Sequence, residues 1–99
     1  MSPDLFSGTA GPPSEGPHLA TIGHQGRFWD VYLEFIHDAR DPSSYRAQLC
    51  FSPSDRNDAE KPLRTTTIIV EPSFEDALER ARKLEDHQLV ALLRSCLPD

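Results

Sequence analysis

Apolar and polar residues alternate from Arg27 to Ile36. Trp29, Val31, Leu33 and Phe35 fall on one side, and Phe28, Asp30, Tyr32, Glu34 and Ile36 on the other. A period of two, carried by aromatic and β-branched residues, predicts a strand. Ser44 to Phe51 repeats the pattern, with Tyr45, Ala47, Leu49 and Phe51 on one side and Arg46, Gln48 and Cys50 on the other. His37 to Ser43 is the loop between them. His18 to Ile22 is a shorter strand, followed by the turn residues Gly23-His24-Gln25-Gly26. Leu63 to Glu71, with its run Thr65-Thr66-Thr67-Ile68-Ile69-Val70, predicts a last strand. Its inward set is either Thr66, Ile68 and Val70, or Leu63, Thr65, Thr67 and Ile69.

The two long strands contain a register of their own. Placing Trp29 opposite Phe51, Val31 opposite Leu49, Leu33 opposite Ala47 and Phe35 opposite Tyr45 makes one face wholly apolar. The same pairing sets Glu34 against Arg46 and Tyr32 against Gln48, a favourable cross-strand arrangement. A one-residue slip would invert the faces, whereas a two-residue slip preserves them.

Pro72-Ser73-Phe74-Glu75-Asp76 predicts a helix start, with Ser73 as N-cap and two acids at the positive end of the helix dipole. Phe74, Ala77, Leu78, Ala81 and Leu84 form one stripe. Asp76–Arg80, Glu79–Lys83 and Arg82–Asp86 fall at i,i+4 spacing. Continuing the stripe brings in Glu85 and Gln88, and the apolar residues Leu89, Leu92, Leu93 and Cys96 resume rotated about the axis. Either the helix kinks or restarts near Glu85-Asp86, with Asp86 as a second cap, or the two polar side chains enter an interface.

The fold class is therefore α+β: an antiparallel meander of three to four strands followed by a C-terminal helix on one sheet face, in ββββα order. Short links allow hairpins and exclude parallel crossovers. The expected core is Trp29, Leu33, Leu49, Phe51, Phe74, Leu78 and Ala81.

Composition divides the chain of 99 residues. Residues 1–17 hold four of its nine prolines and three of its five glycines. Such a segment buries too little to offset its ordering entropy, so it is expected to be a disordered tail. Residues 18–99 form a single small domain, near the size at which one core is marginal alone, which favours a homodimer. The tail has neither the basic start nor the apolar stretch of a secretion signal, and no run is long enough to span a membrane. Cys50 and Cys96 read as free buried thiols in a reducing cytoplasm, with a disulfide between them as the lesser alternative. The formal charge is −6, leaving −4 for residues 18–99 once Asp4 and Glu15 are set aside. Eight arginines stand against two lysines. The arginine bias fits a GC-rich genome, and the acidic excess also fits a high-salt proteome.

The chemistry is sparse. His18, His24, His37, His87, Cys50 and Cys96 show no zinc-like spacing, so no metal is expected. Asp55-Arg56-Asn57-Asp58 begins like a calcium loop, but it lacks the glycine at the sixth position and has Thr66 where the bidentate glutamate belongs. Ser95, Cys96 and Cys50 have no marked base or oxyanion hole, and no glycine-rich phosphate loop is present. The expectation is a non-enzymatic protein without cofactor: a cytoplasmic protein-interaction or regulatory module whose partner is itself or another protein. Leu89 and Leu93, with Leu97 and the outer sheet face, are the expected contact between copies. The alternative is a module for single-stranded nucleic acid. It would use Phe28, Tyr32 and Ile36 for stacking and Arg46 and Arg64 for phosphates. In topology alone, the strand order resembles small dimeric single-strand binders of the Whirly and transcriptional-coactivator kind.

Overall fold

Alternation at residues 27–36 becomes the middle of an antiparallel sheet. The computed structural model describes residues 16–37, 40, 42–55 and 60–97. Its strands are β1 (His18–His24), β2 (Arg27–Ile36), β3 (Tyr45–Pro53), β4 (Leu63–Arg64) and β5 (Ile69–Glu71), followed by the helices α1 (Phe74–Arg82) and α2 (Asp86–Cys96). The order across the sheet is β1-β2-β3-β4, with β5 also paired to β3. The expected α+β meander is the fold, with two helices in place of one.

The first hairpin turns on only Gln25 and Gly26, both at positive φ (52° and 78°). That is the twist-matched two-residue turn, and glycine supplies its second position without strain. Upstream, Leu33 N–H donates to the Pro17 carbonyl at 2.9 Å. A Cβ on Gly16 would collide with the Leu33 carbonyl, so only glycine passes there. Gly16 and Pro17 thus lie against the sheet. The rest of the expected tail, residues 1–15, lies outside the described residues.

The β2–β3 register is slipped two residues from the expected one. Trp29 faces Pro53, Val31 faces Phe51, Leu33 faces Leu49 and Phe35 faces Ala47. Inward and outward sets survive, as a slip of two requires. Alternation alone does not choose between these registers, because both keep the same faces; the observed one pairs Ser52 with Asp30 and Pro53 with Trp29. Glu34 consequently meets Gln48, and Arg46 meets Ile36.

The last strand is broken. Cys50 pairs with Arg64 and Phe51 with Leu63, but Ala47 pairs with Ile69 and Arg46 with Val70, so two extra residues bulge out between them. Thr65 bridges the gap. Its N–H donates to the Leu49 carbonyl at 3.0 Å. Its hydroxyl accepts from Leu49 N–H at 3.0 Å, in place of a ladder carbonyl. Of the two inward sets, Leu63 and Ile69 join the core, and Ile68 reaches it from the bulge.

Serine caps α1 as expected: Ser73 Oγ accepts from Asp76 N–H at 3.1 Å. The helix stops at Arg82 and a second begins at Asp86. The cap is Glu85 rather than Asp86. Its N–H donates to Gln88 Oε1 at 2.8 Å, half of a capping box. Glu85 and Gln88 interrupt the apolar stripe because they satisfy a helix end. Lys83 lies 3.7 Å from Glu79, whereas Arg80 turns to Glu71 at 2.8 Å. The Arg82–Asp86 spacing straddles the break.

Ala77 and Ala81 of α1 and Leu89 and Leu93 of α2 close over Trp29, Val31, Leu33, Leu49 and Phe51. Three expectations need correcting. Phe74 is 40 % exposed, because it opens α1 beyond the sheet end and stacks on Phe35 at 5.0 Å. Leu78 is half-buried. Leu89 and Leu93, expected between copies, are buried within the chain, Leu93 at 0 % exposure, because α2 restarts with its apolar side on the sheet.

Leu49→Ala is expected to cost about 2–5 kcal/mol in urea denaturation, since a fully buried side chain leaves a cavity; a loss below about 0.5 kcal/mol would contradict the packing. Leu93→Asp should lose the cooperative melting transition altogether. A folded variant of Leu93→Asp would mean that α2 is not part of the core.

Candidate binding surface on the outer sheet face

Both helices pack on one side of the sheet, so the other side has no layer over it among the described residues. Phe28, Tyr32, Ile36, Arg46 and Arg64 share that side, as alternation predicted. Leu89 and Leu93 do not belong to it.

Two carboxylates organise the face. Glu34, on β2, accepts from Gln48 Nε2 at 3.0 Å and takes Arg64 in a bidentate grip, Nε at 2.8 Å and Nη2 at 3.1 Å. The Arg64 guanidinium is raised above its ordinary pKa, first by its hydrogen bond to Glu34. The paired fork and carboxylate leave Arg64 little capacity for an external phosphate. Cys50 is fully buried in the pair opposite Arg64.

Asp30 is the second. Thr21 Oγ1 donates to its Oδ1 at 2.7 Å and Ser54 Oγ donates to Oδ2 at 3.1 Å. His18 Nε2 lies 3.2 Å from Oδ1 and 3.4 Å from Thr21 Oγ1. The donated bonds, that of Thr21 first, hold the carboxyl below its ordinary pKa. Hydroxyl, imidazole and carboxylate are therefore adjacent, but both oxygens meet the same ring nitrogen. A relay that activates a nucleophile needs the base oriented through its other nitrogen. The arrangement holds a charge in place and does not prime Thr21 for attack.

At the ends of the face, Phe28 is 66 % exposed and its ring leans over Gly23. Tyr32 meets the His18 ring edge-on at 5.2 Å. Ile36 and Arg46 help line a cleft of about 270 Å³ with Phe35, Pro42 and Tyr45. Arg27 lies apart from the face. Its guanidinium sits 5.5 Å over the Trp29 indole and binds Asp55 at 2.8 Å and Glu60 at 2.6 Å, which raises its pKa.

Sequence reasoning set Phe35 beside Tyr45 but missed that Phe74 joins them at one end of the sheet. Phe35 meets Tyr45 at 6.1 Å and Phe74 at 5.0 Å. The signal was positional: Tyr45 and Phe74 are each the first residue of an element, where burial is least complete. It also missed the Asp30 cluster, because β1 was drawn too short and its bulge between His18 and Ala20 was not foreseen.

Among the described residues, no group of three or more His, Cys, Asp or Glu side chains is placed to hold a metal. Arg56, Asn57 and Asp58 of the calcium-like segment lie outside the described residues. Cys50 and Cys96 are free thiols; Cys50 is buried as expected, whereas Cys96 is only half-buried. No described helix is long and apolar enough to cross a membrane. Set against protein-family models, curated proteins and solved structures, the chain matches none of them.

The depressed pKa of Asp30 sets a pH test. Its contribution is present above the unfolded carboxylate range, near about pH 4, and is lost as pH falls through the lower folded value. Asp30→Asn should therefore melt below the wild type at neutral pH, and the two curves should converge as pH falls through the lowered folded value. Melting temperatures that stay equally separated at every pH would show that the ionised form of Asp30 contributes nothing.

Proposed function

We propose that this chain is a non-enzymatic protein-interaction module that assembles with a second copy of itself. The observation that supports it is the outer sheet face. Among the described residues it has no helical layer, and two of its charged groups are held inside the chain, Arg64 by Glu34 and Asp30 by hydroxyl donors. A surface of that kind suits another protein, whose polar groups it can meet without uncompensated charge. The small size of the chain adds to the case, because association enlarges the buried core. A cytoplasmic setting rests on the two free thiols.

Exposed Phe28 favours a second reading, stacking on single-stranded nucleic acid. The Glu34–Arg64 grip weighs against it, because non-specific affinity for nucleic acid comes mainly from phosphate contacts.

Sedimentation equilibrium at micromolar concentration should return twice the chain mass of 11.1 kDa. A clean monomer would remove self-assembly. Titration with a fluorescent oligothymidine at low salt should show no saturable binding. Binding that weakens steeply with added salt would shift the assignment to nucleic acid.

A further inference from the structure

Among the described residues strand β1 ends the sheet, and the geometry of its hairpin shows which groups face off the edge. The loop has two residues, so His24 and Arg27 form the hydrogen-bonded pair that closes it. Pairs alternate from there. Ile22–Trp29 and Ala20–Val31 are bonded, whereas Gly23–Phe28 and Thr21–Asp30 are not. The main-chain N–H and C=O groups of Thr21 and Gly23 therefore point away from β2. We propose that this edge pairs antiparallel with the same edge of a second copy, joining the two sheets into one, with Thr21 opposite Gly23 of the second copy.

This rests on the self-assembly reading above but places the contact between copies at the β1 edge, so that the two outer faces join side by side and neither covers the other. Reciprocity is the first argument. In this register every outward group of Thr21 and Gly23 finds a partner in the other copy, and neither histidine of β1 faces a histidine. Edge protection is the second. The opposite side of the sheet is split into strands of two and three residues by the bulge at Thr65–Ile68. Such breaks keep edges from pairing. β1 has seven residues with no lysine, carboxylate or proline, and its own bulge is confined to the His18 end.

Charge and shape give the third argument. The chain carries −6, so copies repel one another in general, while β1 brings no carboxylate to the seam. Phe28 leans over Gly23, within 3.7 Å of where a Cβ would stand. In the paired register Thr21 of the second copy lies beside that glycine, on the same face, and the exposed ring covers it. An aromatic over an edge glycine is a known register device.

The test uses the full chain, with amide exchange and sedimentation equilibrium on wild type, Thr21→Pro and Thr21→Val. Proline removes the outward N–H and blocks the approaching strand without touching the ladder to β2. Valine removes the hydroxyl bonded to Asp30 and keeps the edge amide. Expected are a wild-type dimer with Thr21 and Gly23 amides slowed at least about tenfold relative to dilute, monomeric protein, a monomeric Thr21→Pro that still melts cooperatively, and a dimeric Thr21→Val. A wild-type dimer in which both amides exchange freely would overturn the edge while leaving self-assembly intact. A wild-type monomer would overturn both. If Thr21→Pro fails to fold, the wild-type amide comparison decides the question alone.

Discussion

Leu33 and Leu49, opposite one another and fully buried, are the pairing about which the molecule is arranged. They sit on the two strands that have neighbours along both edges, so a displacement there would disturb every other strand. Their side chains belong to one buried cluster with Ala77, Ala81, Leu89 and Leu93 of the helices. Keeping these two residues inward forces Tyr32, Glu34, Gln48 and Cys50 outward, because the side-chain period is two. The polar order of the outer face is thus a by-product of the apolar order of the inner one.

The helical layer answers the same constraint. Alanines at 77 and 81 are the buried residues of α1, and small side chains allow a close approach to the sheet. α2 brings leucines instead. One straight helix could not have turned both sets toward a single sheet, because its stripe would have carried Glu85 and Gln88 into the core. Breaking the helix lets each half take its own angle, and the two polar residues become the chemistry of the new helix start.

Much of this could be read from the residues. Strong alternation located β2 and β3 and sorted their faces correctly, and Ser73 followed by acids located the first cap. Register could not be read so far, because a slip of two leaves the hydrophobic pattern unchanged. The second cap was placed one residue late, since Asp86 is the commoner capping type and only three-dimensional bonding shows that Glu85 holds the position. The outer face was legible as a set of residues and illegible as a network. Arg64 meets Glu34 across an intervening strand, and no local pattern records contacts of that range. Leu89 and Leu93 were assigned outward because a rotated stripe looked unpartnered, when the helix had rotated with it.

Thr65 also acts as a detent. Ordinary ladders are built from identical backbone units, so a strand can slide by two residues and find equivalent bonds. Here one rung is a side-chain hydroxyl, with Leu49 donating to the oxygen of Thr65, which in turn donates to the Thr66 carbonyl at 2.7 Å. Sliding by two in one direction would bring Leu63 to that place, a residue with no side-chain oxygen to offer. Sliding in the other would bring Thr67, whose neighbouring residues would then have to form the bulge afresh. The far side of the sheet is held in position by an atom that occurs once along the rung, where repeated backbone groups could not tell one alignment from the next.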